Sequence, residues 1–114
     1  MLSRDDILRA RDLPTEELAI PEWGGSVRVR ALTAGERDAF ELEMRDSRTN
    51  GHSPNVRGAL AVKVLVDEQG RRLFEDHDAA TLAALDARPL DRIFTVAARL
   101  SGITRDDVDE LEKN

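Results

Sequence analysis

The sequence contains no cysteine and no tyrosine, and its aromatic residues amount to three Phe and one Trp among 114 residues. Without thiols there is no disulfide framework, no thiolate metal site and no cysteine nucleophile. So few aromatics leave little lining for a small-molecule pocket, which sets apolar and aromatic walls around a few converging polar groups. A basic excess is lacking too. Lys+Arg number 17 against 23 Asp+Glu, a net charge of −6 with a pI near 4.9, and this argues against nucleic acid as a partner. The longest nearly apolar run, residues 59–66, is interrupted by Lys63 and is far too short to span a bilayer, so no membrane partner is expected. The opening Met1-Leu2-Ser3-Arg4-Asp5-Asp6 is acidic and has no apolar h-region, which predicts no signal peptide. The length fits one domain over 1–114. These exclusions leave a soluble, cytoplasmic protein that works through its surfaces.

What is present reads as an α+β fold, mainly helical, with a small N-terminal β-hairpin followed by about four helices. Ser3 and Asp6 cap a short helix within an arm over residues 1–12. Residues 15–31 read as the hairpin. In Ser26-Val27-Arg28-Val29-Arg30-Ala31 the apolar residues alternate with arginines, and Leu18 and Ile20 share a face by the same period. Gly24-Gly25 supplies the positive φ that a tight reversal needs. A lone hairpin is marginal in water, so its apolar face must dock on helices or on another chain.

The helical part covers 33–113. Thr33-x-x-Glu36 is a capping box for a helix to about residue 48. In it Arg37, Glu41 and Arg45 form i,i+4 charge pairs, Phe40 and Met44 an apolar pair, and Leu32 a staple before the cap. Asn55 caps an apolar segment, 56–66, whose valines leave helix and strand both open, with an extended end allowed. Asp67-Glu68-Gln69-Gly70 is a turn, after which Arg72-Leu73-Phe74 pairs back on 64–66. Asp76 or Asp78 starts the next helix, and Pro89 fits the first position of another. That last helix carries Leu90, Ile93, Phe94, Ala97 and Leu100 on one stripe and ends at Gly102. Thr104 with Asp107 begins a final acidic helix to about residue 113.

No catalytic or cofactor site can be assembled from these residues. There is no GxGxxG and no GxxxxGK[ST] around Gly24-Gly25. Asp76-His77-Asp78 reads as a capping cluster, with no second His or Cys placed to complete a zinc site. Asp67-Glu68-Gln69-Gly70 lacks the calcium-loop ladder, and His52-Ser53 are neighbours in a loop rather than parts of a triad. No enzyme activity, cofactor or metal is expected.

Two features remain as candidate protein-binding residues. Arg28 and Arg30 project together from the hairpin, and Trp23 sits at its turn. Either the arginines pair with Glu16, Glu17 or Glu22 as a solvated face, or the hairpin is presented to a partner, because Trp and Arg are favoured interface anchors. On the second reading, reversing both arginine charges is expected to leave stability within about 1 kcal/mol while weakening binding. The stripe Leu90, Ile93, Phe94, Ala97 and Leu100 is likewise either the domain's own core or a groove for a helix.

Taken in order, several segments carry a resemblance: Asp12-Leu13-Pro14-Thr15-Glu16-Glu17, Ile20-Pro21-Glu22-Trp23-Gly24-Gly25, Val27-Arg28-Val29-Arg30-Ala31-Leu32-Thr33 leading to Glu36-Arg37-Asp38, Val66-Asp67-Glu68-Gln69-Gly70-Arg71-Arg72-Leu73-Phe74, Leu90-Asp91-Arg92-Ile93-Phe94 and Leu100-Ser101-Gly102-Ile103-Thr104. From about residue 4 onward the chain resembles the tail assembly chaperones of long, flexible-tailed (siphovirus-type) bacteriophages and prophages. The resemblance implies a non-enzymatic factor that binds the helical, aggregation-prone tape measure protein in the host bacterial cytoplasm while the tail tube polymerises, and that is absent from the finished virion. It also implies self-association, and a longer product made by −1 frameshifting whose extra domain recruits tail tube protein. Glu112-Lys113-Asn114 can be encoded GAA-AAA-AAC, which contains a run of the slippery X-XXY-YYZ type. The rival reading is a small structural head–tail joining or minor tail protein.

Overall fold

In a computed structural model the described residues are 1–51, 55–104, 107 and 110. The elements run α1 (Arg4–Arg9), β1 (Thr15–Ile20), a 3-10 turn (Pro21–Trp23), β2 (Gly25–Arg30), α2 (Ala34–Thr49), α3 (Val56–Val64), β3 (Leu65–Val66), a second 3-10 turn (Asp76–Asp78), α4 (Ala79–Ala83) and α5 (Ala87–Leu100). This is the α+β architecture expected, a hairpin followed by four helices. His52-Ser53 and Glu112-Lys113-Asn114 lie outside the described residues, as does most of the expected helix after Thr104. Its start is described: Thr104 Oγ1 accepts from the Asp107 amide and the Asp107 carboxylate from the Thr104 amide.

Both N-terminal capping boxes close reciprocally, at Ser3/Asp6 and at Thr33/Glu36. The hairpin register pairs Leu18 with Val27 and Glu16 with Val29, so Leu18, Ile20, Val27 and Val29 share one face. Of the two glycines at the turn only Gly24 takes a positive φ, 73°. Gly25 is instead the first residue of β2. The hairpin does not stand alone: β3 adds antiparallel to β2, with Val29 opposite Leu65 and Arg28 opposite Val66. Arg72 then bridges to Val66, the return expected after the 67–70 turn, where the Asp67 carboxylate accepts from the Gln69 and Arg71 amides. On α2, Phe40 and Met44 are buried, and Arg37 donates to Glu41 at 3.0 Å.

Two starts differ from expectation. The helix of Asp76–Asp78 opens as a 3-10 turn before α4. Pro89 is the third residue of α5, which begins at Ala87 with Asp86 as its cap, the Asp86 carboxylate accepting from the Arg88 amide. Pro is tolerated there because the first-turn N–H groups have no intrahelical acceptor. At the other end Gly102, φ 71°, donates to Arg99 O while Ile103 donates to Ala98 O, a Schellman closure.

The core gathers around α3, which is buried along all but one residue of its length, Lys63 included. Gly58 lets α4 approach: a Cβ there would lie 2.5 Å from the Ala79 carbonyl oxygen, the same oxygen to which Asn55 Nδ2 donates. Gly58→Ala is therefore expected to cost about 1–3 kcal/mol through overpacking. Gly35→Ala, in α2 where an added Cβ meets nothing within 4 Å, is expected to stabilise by roughly 0.4–1 kcal/mol. Urea unfolding of the two variants checks the contrast. Equal effects would rule out Gly58 as the closest approach of the two helices.

Candidate functional site

The structure separates the two hairpin arginines. Arg30 is nearly enclosed, its side chain 12% exposed, and it forms a bidentate pair with Glu36 at 2.7 Å on both arms. The same Glu36 carboxylate accepts from the Thr33 amide. The Arg30 guanidinium, bonded to Glu36, holds that carboxyl at about 2 against an ordinary 4.5. Arg30 is thus a brace between β2 and the start of α2, and its partner is Glu36 rather than the Glu16, Glu17 or Glu22 expected on a solvated face. Arg28 faces outward, pairing with Glu17 across the hairpin at 3.3 Å and donating to the Glu68 carbonyl at 3.1 Å. Trp23 stays 41% exposed on the hairpin turn.

The α5 stripe is turned inward. Leu90, Ile93 and Ala97 are 2% or less exposed, and Phe94 and Leu100 pack half-buried against the same core. Of the two readings open for this helix, the geometry is that of the domain's own core. Its opposite flank is stitched to the hairpin by ion pairs, Arg92 with Glu22 and Arg99 with Glu16. The Arg92 contact lowers the pKa of the Glu22 carboxyl below its ordinary value. The Ser101 hydroxyl accepts from the Leu32 amide at 2.9 Å, so the C-terminal end of α5 is also fastened to the chain leaving β2.

Clefts on the surface are open, and the roomiest, about 570 Å³, is bordered by residues 72–76. One of about 380 Å³ lies on the outer face of the sheet, lined by Glu17, Ser26, Arg28, Val66, Glu68 and Leu73. Leu73, 52% exposed, was not singled out from sequence. Its signal is only that an apolar pair, Leu73-Phe74, follows a turn. A second cleft of about 250 Å³ lies between Leu18 and the Asp91–Val96 flank of α5. The Glu75 and Asp78 carboxylates lie 3.3 Å and 3.5 Å from the His77 ring nitrogens, and the nearby acids also serve other partners. Asp76 accepts from Arg72 and Lys63, which lower its pKa, Arg72 foremost, and Asp78 accepts from the Glu75 amide. Among the described residues no group of three or more His, Cys, Asp or Glu is placed to hold a metal ion. The outer sheet face, with Arg28, Leu73 and the neighbouring Trp23 turn, combines exposed apolar surface with an oriented charge and is the best candidate for a protein contact.

Comparison with known proteins places these features. The sequence profile described as phage tail assembly chaperone matches residues 9–114. A solved structure described as the bacteriophage HK97 tail assembly chaperone superposes with a TM-score of 0.63 at 15% identity, covering 84% of this chain and 90% of that one, which at such identity establishes a shared fold. No curated protein sequence matches this chain.

The division of labour between the arginines is testable. Arg30→Glu is expected to destabilise by about 2–4 kcal/mol, because it leaves two half-buried carboxylates facing each other. Arg28→Glu is expected to stay within about 1 kcal/mol. The double reversal is therefore not neutral, contrary to the sequence expectation. Glu36 also sets a pH limb. With its pKa depressed in the folded state, its contribution is complete above pH 4.5 and is lost as pH falls toward 2. Urea titrations across that window check it, and Glu36→Gln is expected to flatten the limb.

Proposed function

Because the chain belongs to the phage tail assembly chaperone family, we propose that it binds the tape measure protein and keeps it soluble while the tail tube polymerises. The observation that carries this reading is the family match, which runs through the hairpin, all four following helices and the segment beyond Gly102. The site adds support of its own. Its clefts are open rather than enclosed and exposed apolar residues border them or stand near them, as Leu73 and Trp23 do, which suits contact with another chain. On this reading the protein is non-enzymatic, requires no cofactor, acts in the host cytoplasm and leaves before the virion is complete. No helix among the described residues is long and apolar enough to cross a membrane.

Trp23, Arg28 and Leu73 are the residues proposed to touch the tape measure helix. Their rim charges, Glu17 and Glu68, orient it. Co-expression with overlapping tape measure fragments is expected to recover soluble complexes without added metal or nucleotide. Trp23→Ala or Leu73→Glu is expected to weaken capture roughly tenfold, about 1.4 kcal/mol, with the fold retained. Recovery of no fragment along the whole tape measure overturns the reading. Stoichiometric presence of the protein in purified virions transfers it to the head–tail joining or minor tail alternative.

A longer form reaching the tail tube protein is proposed to arise by −1 slippage at the codons of Glu112-Lys113-Asn114. Sequencing the gene's 3′ end is expected to show a slippery heptamer followed by a long overlapping −1 frame. The absence of either removes this proposal and leaves tape measure binding untouched.

A further inference from the structure

The N-terminal arm carries half of the exposed large apolar side chains among the described residues, Met1, Leu2, Ile7 and Leu8. Helix α1 buries none of its six residues. Every hydrogen bond and ion pair that they make among the described residues stays within residues 3–11. A helix this short does not persist in water on its own hydrogen bonds, so its reciprocal cap prepares a shape that another surface completes. The charges are sorted by face. Asp6 closes the cap with Ser3 and takes Arg9 at 3.0 Å. Arg4 shares the face of Ile7 and Leu8 at i, i+3 and i+4, and its one carboxylate neighbour, Asp5, is 3.8 Å away. Arg11 folds back over the helix end, its Nε donating to the Leu8 carbonyl at 3.1 Å, and it makes no ion pair among the described residues. An apolar pair is thus bracketed by two cations that the protein's own acids leave largely open.

We propose that this arm docks on an acidic amphipathic helix of the tape measure protein. Ile7 and Leu8 lie on the apolar stripe of that helix, while Arg4 and Arg11 meet Asp or Glu residues along its borders. The inference rests on the tape measure reading above and adds a second contact, distinct from Trp23, Arg28 and Leu73. The charge pattern selects this occupant. A basic helix is repelled by Arg4 and Arg11 and a neutral one gains nothing from them, whereas an acidic one satisfies both. The profile match begins at residue 9, so residues 1–8 lie outside the matched span and the contact is not one that the family match supplies. Residues 10–14 join α1 to β1, a reach of about 16–18 Å when extended, and the bond from Ala31 N to Pro14 O fixes its far end. Arm and hairpin are thereby linked sites on one chain, and each raises the effective concentration of the other.

The test uses the full-length chain with overlapping tape measure fragments, and reads capture together with thermal unfolding. Ile7→Glu with Leu8→Glu is expected to leave the unfolding temperature unchanged, since α1 adds nothing to the core, and to weaken capture about tenfold. Arg4→Glu with Arg11→Glu is expected to weaken capture of fragments whose helices border an apolar stripe with Asp or Glu, and to spare the others. Reversing those border acids to Lys in the fragment is expected to restore its capture by the Arg4→Glu, Arg11→Glu chain, a rescue that needs direct contact. Undiminished capture by the Ile7→Glu, Leu8→Glu chain overturns the arm's role and leaves Trp23, Arg28 and Leu73 as the contact. Loss of capture without rescue by the reversed fragment assigns the arm to another surface, a second copy included, and also overturns the proposal. If the wild type captures no fragment at all, the tape measure reading falls and this inference falls with it.

Discussion

The fold depends on one constraint, that α3 is apolar nearly all round and has to be enclosed. Val56, Leu60, Val62 and Val64 are at most 6% exposed, and a nine-residue helix contributes nothing stable by itself in water. Each neighbour covers a different side. Helices α4 and α5 pack along it, α2 brings Phe40 and Met44 to the same core, and the chain leaves α3 directly into β3, which fastens it to the hairpin. The one buried charge in this helix, Lys63, is 2% exposed. Its ammonium reaches Glu43 at 2.9 Å and Asp76 at 3.3 Å, carboxylates that themselves face solvent. The stem is buried while the head meets counter-charge at the rim. A pair so placed does more to orient α2 and the Asp76–Asp78 turn around α3 than to stabilise the fold, since desolvating the ammonium offsets much of the attraction.

Local signals in the sequence translated into structure where the physics is local. Ser3/Asp6 and Thr33/Glu36 cap as read, Asn55 accepts from Gly58 N, and Gly102 closes α5. The alternation of residues 26–31 put Val27 and Val29 on the buried face of the hairpin. What was illegible involves partners distant in sequence. Nothing in Arg28-Val29-Arg30 distinguishes the two arginines, because they share a face by period. They part only because α2 starts beside Arg30, while the 67–70 turn, some 40 residues on, reaches Arg28. The two-residue β3 was equally hidden, being too short to show a period and continuous with a helix that shows none. Pro89 was misplaced by two positions because any residue of the first turn tolerates it. Asp86 was the stronger signal for where that helix starts.

The candidate site follows the same rule. Trp23 was legible as a residue of the hairpin turn, but whether it packs on its own glycines or stands exposed was not, and its 41% exposure is read from the structure. The α5 stripe was legible as apolar, but pattern alone does not say whether an apolar stripe faces inward or outward. Leu73 and Leu18 were illegible as surface features. Their exposure results from where the sheet stops, at a two-residue strand on one side and an open ladder on the other.

These surfaces also bear on what kind of binding the molecule can support. Among the described residues most arginines outside the core are paired, for example Arg57 with Asp91, Arg72 with Asp76, Arg88 with Asp86, Arg92 with Glu22 and Arg99 with Glu16. Such exposed pairs add little stability each, but they leave few bare cations to seize an acidic surface or a nucleic acid. Of the exposed apolar residues, Met1, Leu2, Ile7 and Leu8 lie in the N-terminal arm and Trp23, Leu42, Leu73 and Leu85 are distributed through the rest of the chain, so under the proposed function one copy offers a long helical partner only small anchors. Strength on a long partner then comes from number. Several weak contacts along one chain multiply through effective concentration. Weak single contacts also favour release, because each copy dissociates quickly once a competing surface covers its segment. The proposed role, holding a partner and then letting it go, is better served by open clefts and separate anchors than by one deep groove, and open clefts are what this α+β domain presents.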